Sequence, residues 1–341
     1  FEKGGYRFES GPSFFAGLTK VEGLNPLAAA LALVGEPLDV VEYDPLGTYH
    51  IPGTTAPLRR YGNLSKFLGE VRRENPEAAS ELEAATPQLR GLHASLRNIP
   101  VPALRADLGA LLILGKRYLK GLGELAPWVS VINGPTSGLM DKFGMNNAWL
   151  RRLVDLECFL LSGLKADGTI AAEFASVFGE SDVTPTEFPV GGSEAIVDAL
   201  IRGLEKHGGE IVTKTHVDEI VVEGGSATGV RIKGGRVIRA SKAVVSNATL
   251  WDTYNKLLPK GALPGGFYKK EMATPATPSF MHLHLGIDAA GLDLSELGGH
   301  HVVVLREDDL SAEGGTCMIS IPSHWDPTMA PDGKHLVHAY T

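Results

Sequence analysis

The feature that most constrains the fold is the order of segment types at residues 189–258. The block opens with a glycine turn, "PVGGS", and continues as a helical pattern that ends at Gly208-Gly209, after which a strand is expected. A helix that ends in paired glycines and is followed by an apolar strand is typical of α/β layers. The side chains predicted to face inward from this helix are Ile196, Val197, Leu200, Ile201 and Leu204.

The second half of the block completes the layer. A hairpin with turns at Gly224-Gly225 and Gly234-Gly235 comes first. The apolar segment "KAVVSNA" is then predicted to be a strand that runs into the helix "LWDTYNKLL". Helix, strand, hairpin and strand in this order indicate a nucleotide-binding α/β layer.

The flanking segments differ from this block. Apolar stripes predict helices between about 63 and 180, with Asn63 and Asn147 as helix caps. Short strands are expected on both sides, and a short helix ends at Gly35. The change from sheet to helices to α/β layer and back to sheet predicts interleaved domains. The flanking segments are a hairpin at 1–20, a helix at 24–34, strands at 38–61 and strands at 279–341.

Composition narrows the class of protein. The chain has 341 residues, 43% of them hydrophobic, and a formal net charge of -8. That charge argues against nucleic acid as a partner, because phosphate binding needs a basic face. The two cysteines suit a reducing compartment, and no apolar run reaches the ~18–20 residues of a membrane-spanning helix. Both ends are expected to be internal, since the chain starts at Phe1 and stops within a strand-like segment.

Two segments could approach a nucleotide. In "KAVVSNAT" the strand is expected to end in small residues, which would let a ligand approach the backbone at the sheet edge. An ordinary turn with Asn247 or Thr249 as helix cap explains this segment equally well. "PVGGS" at 189–193 also places glycines before a helix, and a plain turn is again the alternative. "GLGELA" at 121–126 follows a helical stripe rather than a strand, so it is not a dinucleotide fingerprint.

Histidines and carboxylates were weighed for metal binding and catalysis. His282 and His284 would share a face of one strand, with His300 and His301 nearby in sequence. No Cys-x-x-Cys or His-Glu-x-x-His motif accompanies them, so no metal site is predicted. No catalytic residue can be assigned. Three carboxylates of the helical region, expected to lie on helix surfaces, are Glu157, Glu173 and Glu187.

A helix is also predicted at 104–122, with a wide apolar face flanked by Lys116, Arg117 and Lys120. Such a helix could lie on a membrane and admit a lipid-soluble substrate. A core helix with a basic outer edge is the alternative.

Several segments together resemble the carotenoid isomerase and phytoene desaturase group of the amine-oxidase-like FAD superfamily. They are "GYRFESGPSFF", "FPVGGSEAIVDALIRGLEKHGGEI", "HVDEIVVEGGSATGVRIKGGRVIRASKAVVSNATLWDTYNKLLP" and "SIPSHWDPTMAPDGKHLVHAYT". "VDLECFLLSGLKADGTIAAE" and "SFMHLHLGIDAAGL" look most like the plant and algal carotenoid-isomerase-like proteins. These stretches follow the family's order over nearly the whole chain.

The resemblance implies an α/β fold in which a discontinuous, Rossmann-like FAD-binding domain is interleaved with an α+β substrate domain that has a hydrophobic tunnel. FAD-binding segments are then expected at 1–37 and 189–260, and substrate-domain segments at 38–188 and 261–341. The family's amino-terminal Gly-x-Gly-x-x-Gly, acidic ribose-binding residue and carboxyl-terminal flavin motif are missing, as in a fragment. The residues that the resemblance places near the cofactor are Gly11, Pro12, Ser13, Gly191, Gly192, Val217, Asn247 and Ala248.

The function that the resemblance implies is FAD-dependent cis–trans isomerisation of a carotenoid such as a poly-cis lycopene. A desaturase or saturase acting on a polyene or retinoid is the first alternative, and a non-catalytic carotenoid-binding relative is the second. The expected partner is a lipophilic polyene, with peripheral membrane contact through residues 104–122. The expected location is the chloroplast if the source is a plant or alga, and the cytoplasm otherwise.

Overall fold

The structure is a computed structural model that describes residues 1–9, 14–97, 123–124, 126–276, 279–291, 294, 297–306 and 308–341. The chain forms two compact units. Unit 1 comprises residues 1–207 and 279–341, and unit 2 comprises residues 208–278. The four-segment FAD and substrate domain division stays a prediction.

Unit 1 is built on a mixed six-stranded sheet with strand order β11-β14-β13-β12-β5-β6. All neighbouring strands are antiparallel except β12 and β5, which are parallel. Chain segments far apart in sequence therefore meet in one sheet. The strands are β5 (Gly47–His50), β6 (Leu58–Arg60), β11 (His282–Asp288), β12 (His300–Val304), β13 (Thr316–Ser320) and β14 (Lys334–Tyr340).

Two smaller sheets belong to the same unit. The predicted amino-terminal hairpin is confirmed as β1 (Glu2–Lys3) and β2 (Tyr6–Arg7), joined through Gly4 and Gly5, which both have positive φ. The third sheet has the order β3-β7-β4. Its strands are β3 (Phe15–Ala16), β4 (Val40–Tyr43) and β7 (Thr186–Pro189).

The predicted helix caps are confirmed. The Asn63 side chain accepts a hydrogen bond from the Lys66 amide at 3.0 Å, and that of Asn147 accepts from the Trp149 amide at 3.0 Å. Gly35 ends the first helix in the left-handed conformation. The helices of unit 1 are α1 (Pro26–Val34), α2 (Leu64–Glu74), α3 (Pro76–Arg97), α4 (Val129–Ile132), α5 (Thr136–Lys142), α6 (Ala148–Ser162), α7 (Ala171–Val183) and α8 (Ser193–Lys206), with 3-10 turns at Ala126–Trp128, Pro322–His324 and Pro327–Met329.

The main core of unit 1 lies between the helices and one face of the six-stranded sheet. The apolar stripe predicted for α2 is buried there, with Phe67 and Val71 almost fully enclosed. Val302 and Met318 of the sheet belong to the same cluster. The helical middle of the sequence is therefore the layer that covers this sheet face.

Unit 2 contains the predicted hairpin with its two glycine turns, which is called the double hairpin below. Strands β8 (Val217–Glu223), β9 (Ser226–Ile232) and β10 (Val237–Arg239) form an antiparallel sheet with β9 in the centre. A short helix α9 (Leu250–Asp252) runs into a π-helical turn (Thr253–Leu257), and α10 (Gly265–Met272) follows. The Thr249 hydroxyl, rather than the Asn247 side chain, caps α9 by accepting from the Asp252 amide at 3.0 Å.

Three sequence predictions for residues 193–248 are wrong. "KAVVSNA" forms no ladder with any described strand, and Val245 is 92% exposed. The strand expected directly after Gly208-Gly209 begins only at Val217, just after His216, whose carbonyl accepts a hydrogen bond from the Lys233 amide at 2.9 Å. A strand needs a neighbour for its backbone N–H and C=O groups, and apolar composition alone does not supply one. On α8, Val197 and Leu204 are exposed, because the helix packs through Ile196, Ala199 and Gly203.

No helix among the described residues is long and apolar enough to cross a membrane. The predicted helix at 104–122 lies outside the described residues.

Candidate functional site

The candidate site is a cavity of about 550 Å³ in unit 1. One wall is the inner face of the six-stranded sheet, contributed by β5, β12, β13 and β14, and the other is formed by α6 and α7. Residues 14–16 and 24–26 close a third side. The volume lies within the range of small-molecule sites, which is roughly 300–1,000 Å³.

Most of the cavity wall is apolar. Phe174 and Phe178 lie one turn apart on α7, and their rings stack with centroids 5.1 Å apart. Met318 faces them from the middle of the sheet. The other apolar side chains of the wall are Phe14, Phe15, Leu24, Leu46, Leu160, Leu161, Val177, Val302 and Ile319. A wall of this composition suits a long hydrocarbon ligand.

One end of the cavity is polar and charged. Glu157 accepts hydrogen bonds from the Arg60 Nε at 2.8 Å and from the Tyr49 hydroxyl at 2.9 Å, both on Oε1. The Arg60 guanidinium lies between the rings of Phe67 and Phe178, 4.6 and 4.7 Å from their centroids. The side chains of Arg60 and Glu157 are only 5% and 12% exposed, so they form a buried ion pair. It is called the Arg60–Glu157 pair below.

The position of Glu157 corrects one sequence prediction. Glu157 lies seven residues after Leu150 on α6, so it falls within the apolar arc of the helix. In the sequence, this seven-residue spacing is the pattern that indicates that Glu157 points inward. Glu187 is also buried, on strand β7, where it accepts from the Thr19 amide at 2.8 Å. Only Glu173 is exposed, as expected of a helix-surface carboxylate.

Burial sets the protonation states at this end of the cavity. Burial raises the pKa of Tyr49 well above its usual value, so the phenol stays protonated and donates to Glu157. Burial alone would lower the pKa of Arg60, but the charge of Glu157, the neighbouring Tyr49 and the hydrogen bonds to these two residues together raise that pKa. The cavity therefore contains a paired cation and anion together with a neutral phenol.

Two histidines form a separate pair on neighbouring strands; His301 lines the cavity and His50 does not. Nδ1 of His301 lies 3.2 Å from Nε2 of His50 on the parallel neighbour strand. Burial, followed by the charge of His50, lowers the pKa of His301. His300 also lines the cavity, and its Nε2 lies 3.2 Å from the Tyr43 hydroxyl. The consecutive pair at 300 and 301 thus joins two different hydrogen-bonding networks.

A second buried pair adjoins the cavity. Glu180, which lines it, lies with Oε2 2.8 Å from Nε2 of His93 on α3. Burial would raise the pKa of Glu180, but the hydrogen bond to His93, together with that from the Leu24 amide and the nearby charges of His93 and Arg97, lowers it. Sequence analysis did not single out this pair, because its partners are 87 residues apart in the chain.

The Gly191-Gly192 turn is held by two buried carboxylates. The Gly191 amide donates to Asp326 at 2.7 Å and the Ser193 amide donates to Glu9 at 2.8 Å. The Gly192 amide donates to the Pro189 carbonyl at 2.9 Å. These N–H groups at the start of α8 are therefore already engaged within the protein. Sequence analysis missed both Glu9 and Asp326.

The other predicted cofactor residues are dispersed or not described. Gly11, Pro12 and Ser13 lie outside the described residues. Val217 begins β8 in unit 2, and Asn247 and Ala248 lie exposed in the extended segment before α9. Their contact with a cofactor stays a prediction.

The fold is amine-oxidase-like, as superposition on solved structures shows. A protein from Pyrococcus furiosus superposes with a TM-score of 0.62 at 15% identity over all of this chain and 69% of its own. Putrescine oxidase superposes with a TM-score of 0.57 at 14% identity, covering 93% of this chain and 62% of its own. At these identities the likeness concerns the fold alone. The expected α/β, amine-oxidase-like fold class is confirmed.

Within that class the sequence is similar to prolycopene isomerases. The chloroplastic enzyme of Arabidopsis thaliana is 28% identical over 344 residues, covering all of this chain. That of Daucus carota is 29% identical, again over all of this chain. A neurosporene-forming phytoene desaturase of Cereibacter sphaeroides is 34% identical over 45% of this chain and 31% of its own length. The resemblance to carotenoid isomerases and phytoene desaturases is confirmed.

The chain spans about half the length of the prolycopene isomerases that it matches, 56% for Arabidopsis thaliana and 54% for Daucus carota. No protein-family model matches the chain.

Proposed function

We propose that this chain is part of a FAD-dependent enzyme that isomerises cis double bonds of a carotenoid, with a poly-cis lycopene as the model substrate. The observation that carries the proposal is the mainly apolar cavity of about 550 Å³ between the six-stranded sheet and α6 and α7. The similarity to prolycopene isomerases, which extends over all of this chain, supports the choice of reaction.

The cavity suits a polyene for physical reasons. Its aromatic side chains, Phe174 and Phe178, offer flat apolar surfaces to a planar conjugated chain. Burying a hydrocarbon against such a wall is favourable by about 25 cal/mol for each Å² of apolar surface removed from water. The Arg60–Glu157 pair, a charged part of the wall, would orient the substrate in the cavity.

FAD is the proposed cofactor. It would supply the electron chemistry, while this chain binds the polyene and excludes water from it. The cofactor contacts proposed from the family resemblance are Gly11, Pro12, Ser13, Gly191, Gly192, Val217, Asn247 and Ala248. The domain division at 37, 188 and 260 is part of the same proposal. We also propose that the protein lies in the chloroplast if the source is a plant or alga, and in the cytoplasm otherwise. Residues 104–122 are proposed to make peripheral membrane contact.

The test uses the full-length protein that contains this chain, supplied with FAD and incubated with poly-cis lycopene. The expected product has unchanged mass and a shifted absorption spectrum. A product that has gained or lost hydrogen would refute isomerisation and favour a saturase or desaturase. Binding of the carotene without turnover would favour a non-catalytic carotenoid-binding protein.

A matched pair of substitutions connects the activity with the cavity. Met318→Trp places a larger side chain in the middle of the cavity wall, and turnover is expected to fall at least tenfold while the fold is retained. Met281→Trp makes the same change at a residue that is 74% exposed and outside the cavity, and it should leave turnover unchanged. Equal activity of the two variants would exclude this cavity as the substrate site.

The charged end of the cavity favours a second candidate, a reaction on a polyene that carries an oxygen function, such as a retinoid. A pure hydrocarbon packed against Arg60 and Glu157 would remove water from them without replacing it. A terminal hydroxyl could hydrogen-bond there instead. Faster turnover of a cis-retinoid alcohol than of poly-cis lycopene by the same protein would support this candidate, and the reverse order would exclude it.

A further inference from the structure

Three histidines of unit 1 meet on one face of the six-stranded sheet. His282 and His284 lie two residues apart on β11, and His284 is the register partner of His338 on β14. Nδ1 of His282 is 2.8 Å from Nε2 of His338. Each of the three offers a ring nitrogen that lies within 4.8 Å of the other two. They are called the His282–His284–His338 cluster below.

Burial leaves part of this cluster without hydrogen bonds. His338 is 1% exposed. Its Nδ1 and the Nδ1 of His284 are buried and have no hydrogen-bond partner among the described residues. A buried polar atom without a partner destabilises the folded state, so two such atoms in one cluster require an explanation.

The rings need a modest rearrangement to share one ion. They are now nearly parallel, and His284 and His338 stack with centroids 4.3 Å apart. Zinc–nitrogen bonds of about 2.0–2.1 Å in a tetrahedral site place ligand atoms roughly 3.3 Å apart. His282 and His338 would separate slightly from 2.8 Å, and His284 would turn toward them. Rotation about the Cβ–Cγ bond of histidine is soft, so the rearrangement is energetically accessible.

Stacking alone does not account for the cluster. The rings of Tyr340, Phe1 and Phe8 also pack around it, and stacked rings of this kind are common in cores. Stacking places ring faces together but satisfies no ring nitrogen. The unpartnered Nδ1 of His284 therefore points to a ligand that accepts its lone pair, and His282 and His338 would bind the same ligand through the two nitrogens that lie 2.8 Å apart, Nδ1 and Nε2.

We propose that His282, His284 and His338 form a binding site for one divalent transition-metal ion, of which Zn²⁺ is the best match. Three neutral imidazoles favour zinc, copper, nickel or iron, whereas calcium and magnesium prefer oxygen ligands. His282 is exposed and His338 is buried, so an ion would enter from the side of His282, where a fourth coordination position stays open. This site is independent of the proposed isomerase function.

The test is metal binding to the full-length protein after treatment with a chelator, measured by titration calorimetry with Zn²⁺. One high-affinity ion per chain is expected from the cluster. Co²⁺ in its place should give the intense visible absorption of a tetrahedral site. The decisive variant is His282→Gln, because this exposed side chain can change without opening the core. Its affinity for Zn²⁺ is expected to fall at least ~10-fold.

His216→Gln is the control, since it removes an exposed histidine in unit 2 and should leave the affinity unchanged. His338→Gln should abolish binding, provided that circular dichroism shows a folded protein. Absence of high-affinity Zn²⁺ binding by the unsubstituted protein would overturn the proposal. Equal affinity of His282→Gln and the unsubstituted protein would overturn it too.

Discussion

Replacing Glu157 with glutamine isolates the contribution of one buried carboxylate charge to the stability of unit 1. The side chain keeps its size, but Arg60, which is 4% exposed, would lose its counter-ion. Removing one member of a buried ion pair costs about 3–5 kcal/mol of unfolding free energy, because the remaining charge is left without compensation. The flanking rings of Phe67 and Phe178 offer Arg60 only a partial substitute. We therefore expect Glu157→Gln to lower the free energy of unfolding by an amount within this range.

The assay is urea-induced unfolding followed by circular dichroism, with Glu83→Gln as the control. Glu83 forms an ion pair with Arg72 at 2.7 Å in the same unit, but these side chains are 62% and 51% exposed. An exposed pair contributes roughly 0–1 kcal/mol, so this control should change stability little. Glu157→Gln costing no more than Glu83→Gln would refute the reasoning.

The double variant Arg60→Met, Glu157→Leu gives a second check. With both charges removed and similar volumes retained, much of the lost stability should return, because neither site contains an uncompensated charge. A double variant that is less stable than the two single variants Arg60→Met and Glu157→Leu would show that the pair is required for another reason.

Three further predictions concern other parts of the molecule. Gly192→Ala should destabilise the protein more than Gly208→Ala, because both positions have positive φ but a Cβ at 192 would clash with Glu9 Oε1, whereas the space around 208 is open. Equal unfolding midpoints of the two variants would contradict this. Burial lowers the pKa of His301, so the free energy of unfolding falls by up to about 1.4 kcal/mol per pH unit as the pH drops below about 6.5, the pKa of histidine in the unfolded chain. His301→Gln should make this loss smaller, as unfolding curves at several pH values would show. Cys158 should resist alkylation in the native protein, because burial raises its pKa to about 12. Mass spectrometry should show that the partly exposed Cys317 is modified first, and modification of Cys158 first would contradict the structure.

Features that depend on neighbours in sequence could be predicted well. Asn63 and Asn147 cap their helices and Gly35 ends another, because a cap needs only the backbone N–H groups two or three residues away or a left-handed glycine. The glycine turns of the double hairpin in unit 2 follow from the same local rule. The strands of the carboxyl-terminal segment were also expected, since their apolar composition marks them.

Pairings between distant segments could not be predicted. "KAVVSNA" has the composition of a strand, yet no described strand pairs with it, and pairing depends on a partner elsewhere in the chain. The two carboxylates that hold the Gly191-Gly192 turn, Glu9 and Asp326, come from opposite ends of the sequence. Side-chain type does not show which distant backbone groups a carboxylate will meet.

The sequence by itself determined the order of elements, their local caps and turns, and a resemblance that named a class of substrate. Only the tertiary structure decided which of those elements enclose a cavity, and that Glu157 faces Arg60 across 97 residues of chain. It also brought His338 beside His282 and His284. The physical reason is that local structure is fixed by hydrogen bonds within a few residues, whereas a site depends on charges and lone pairs that come together only when the sheet is complete.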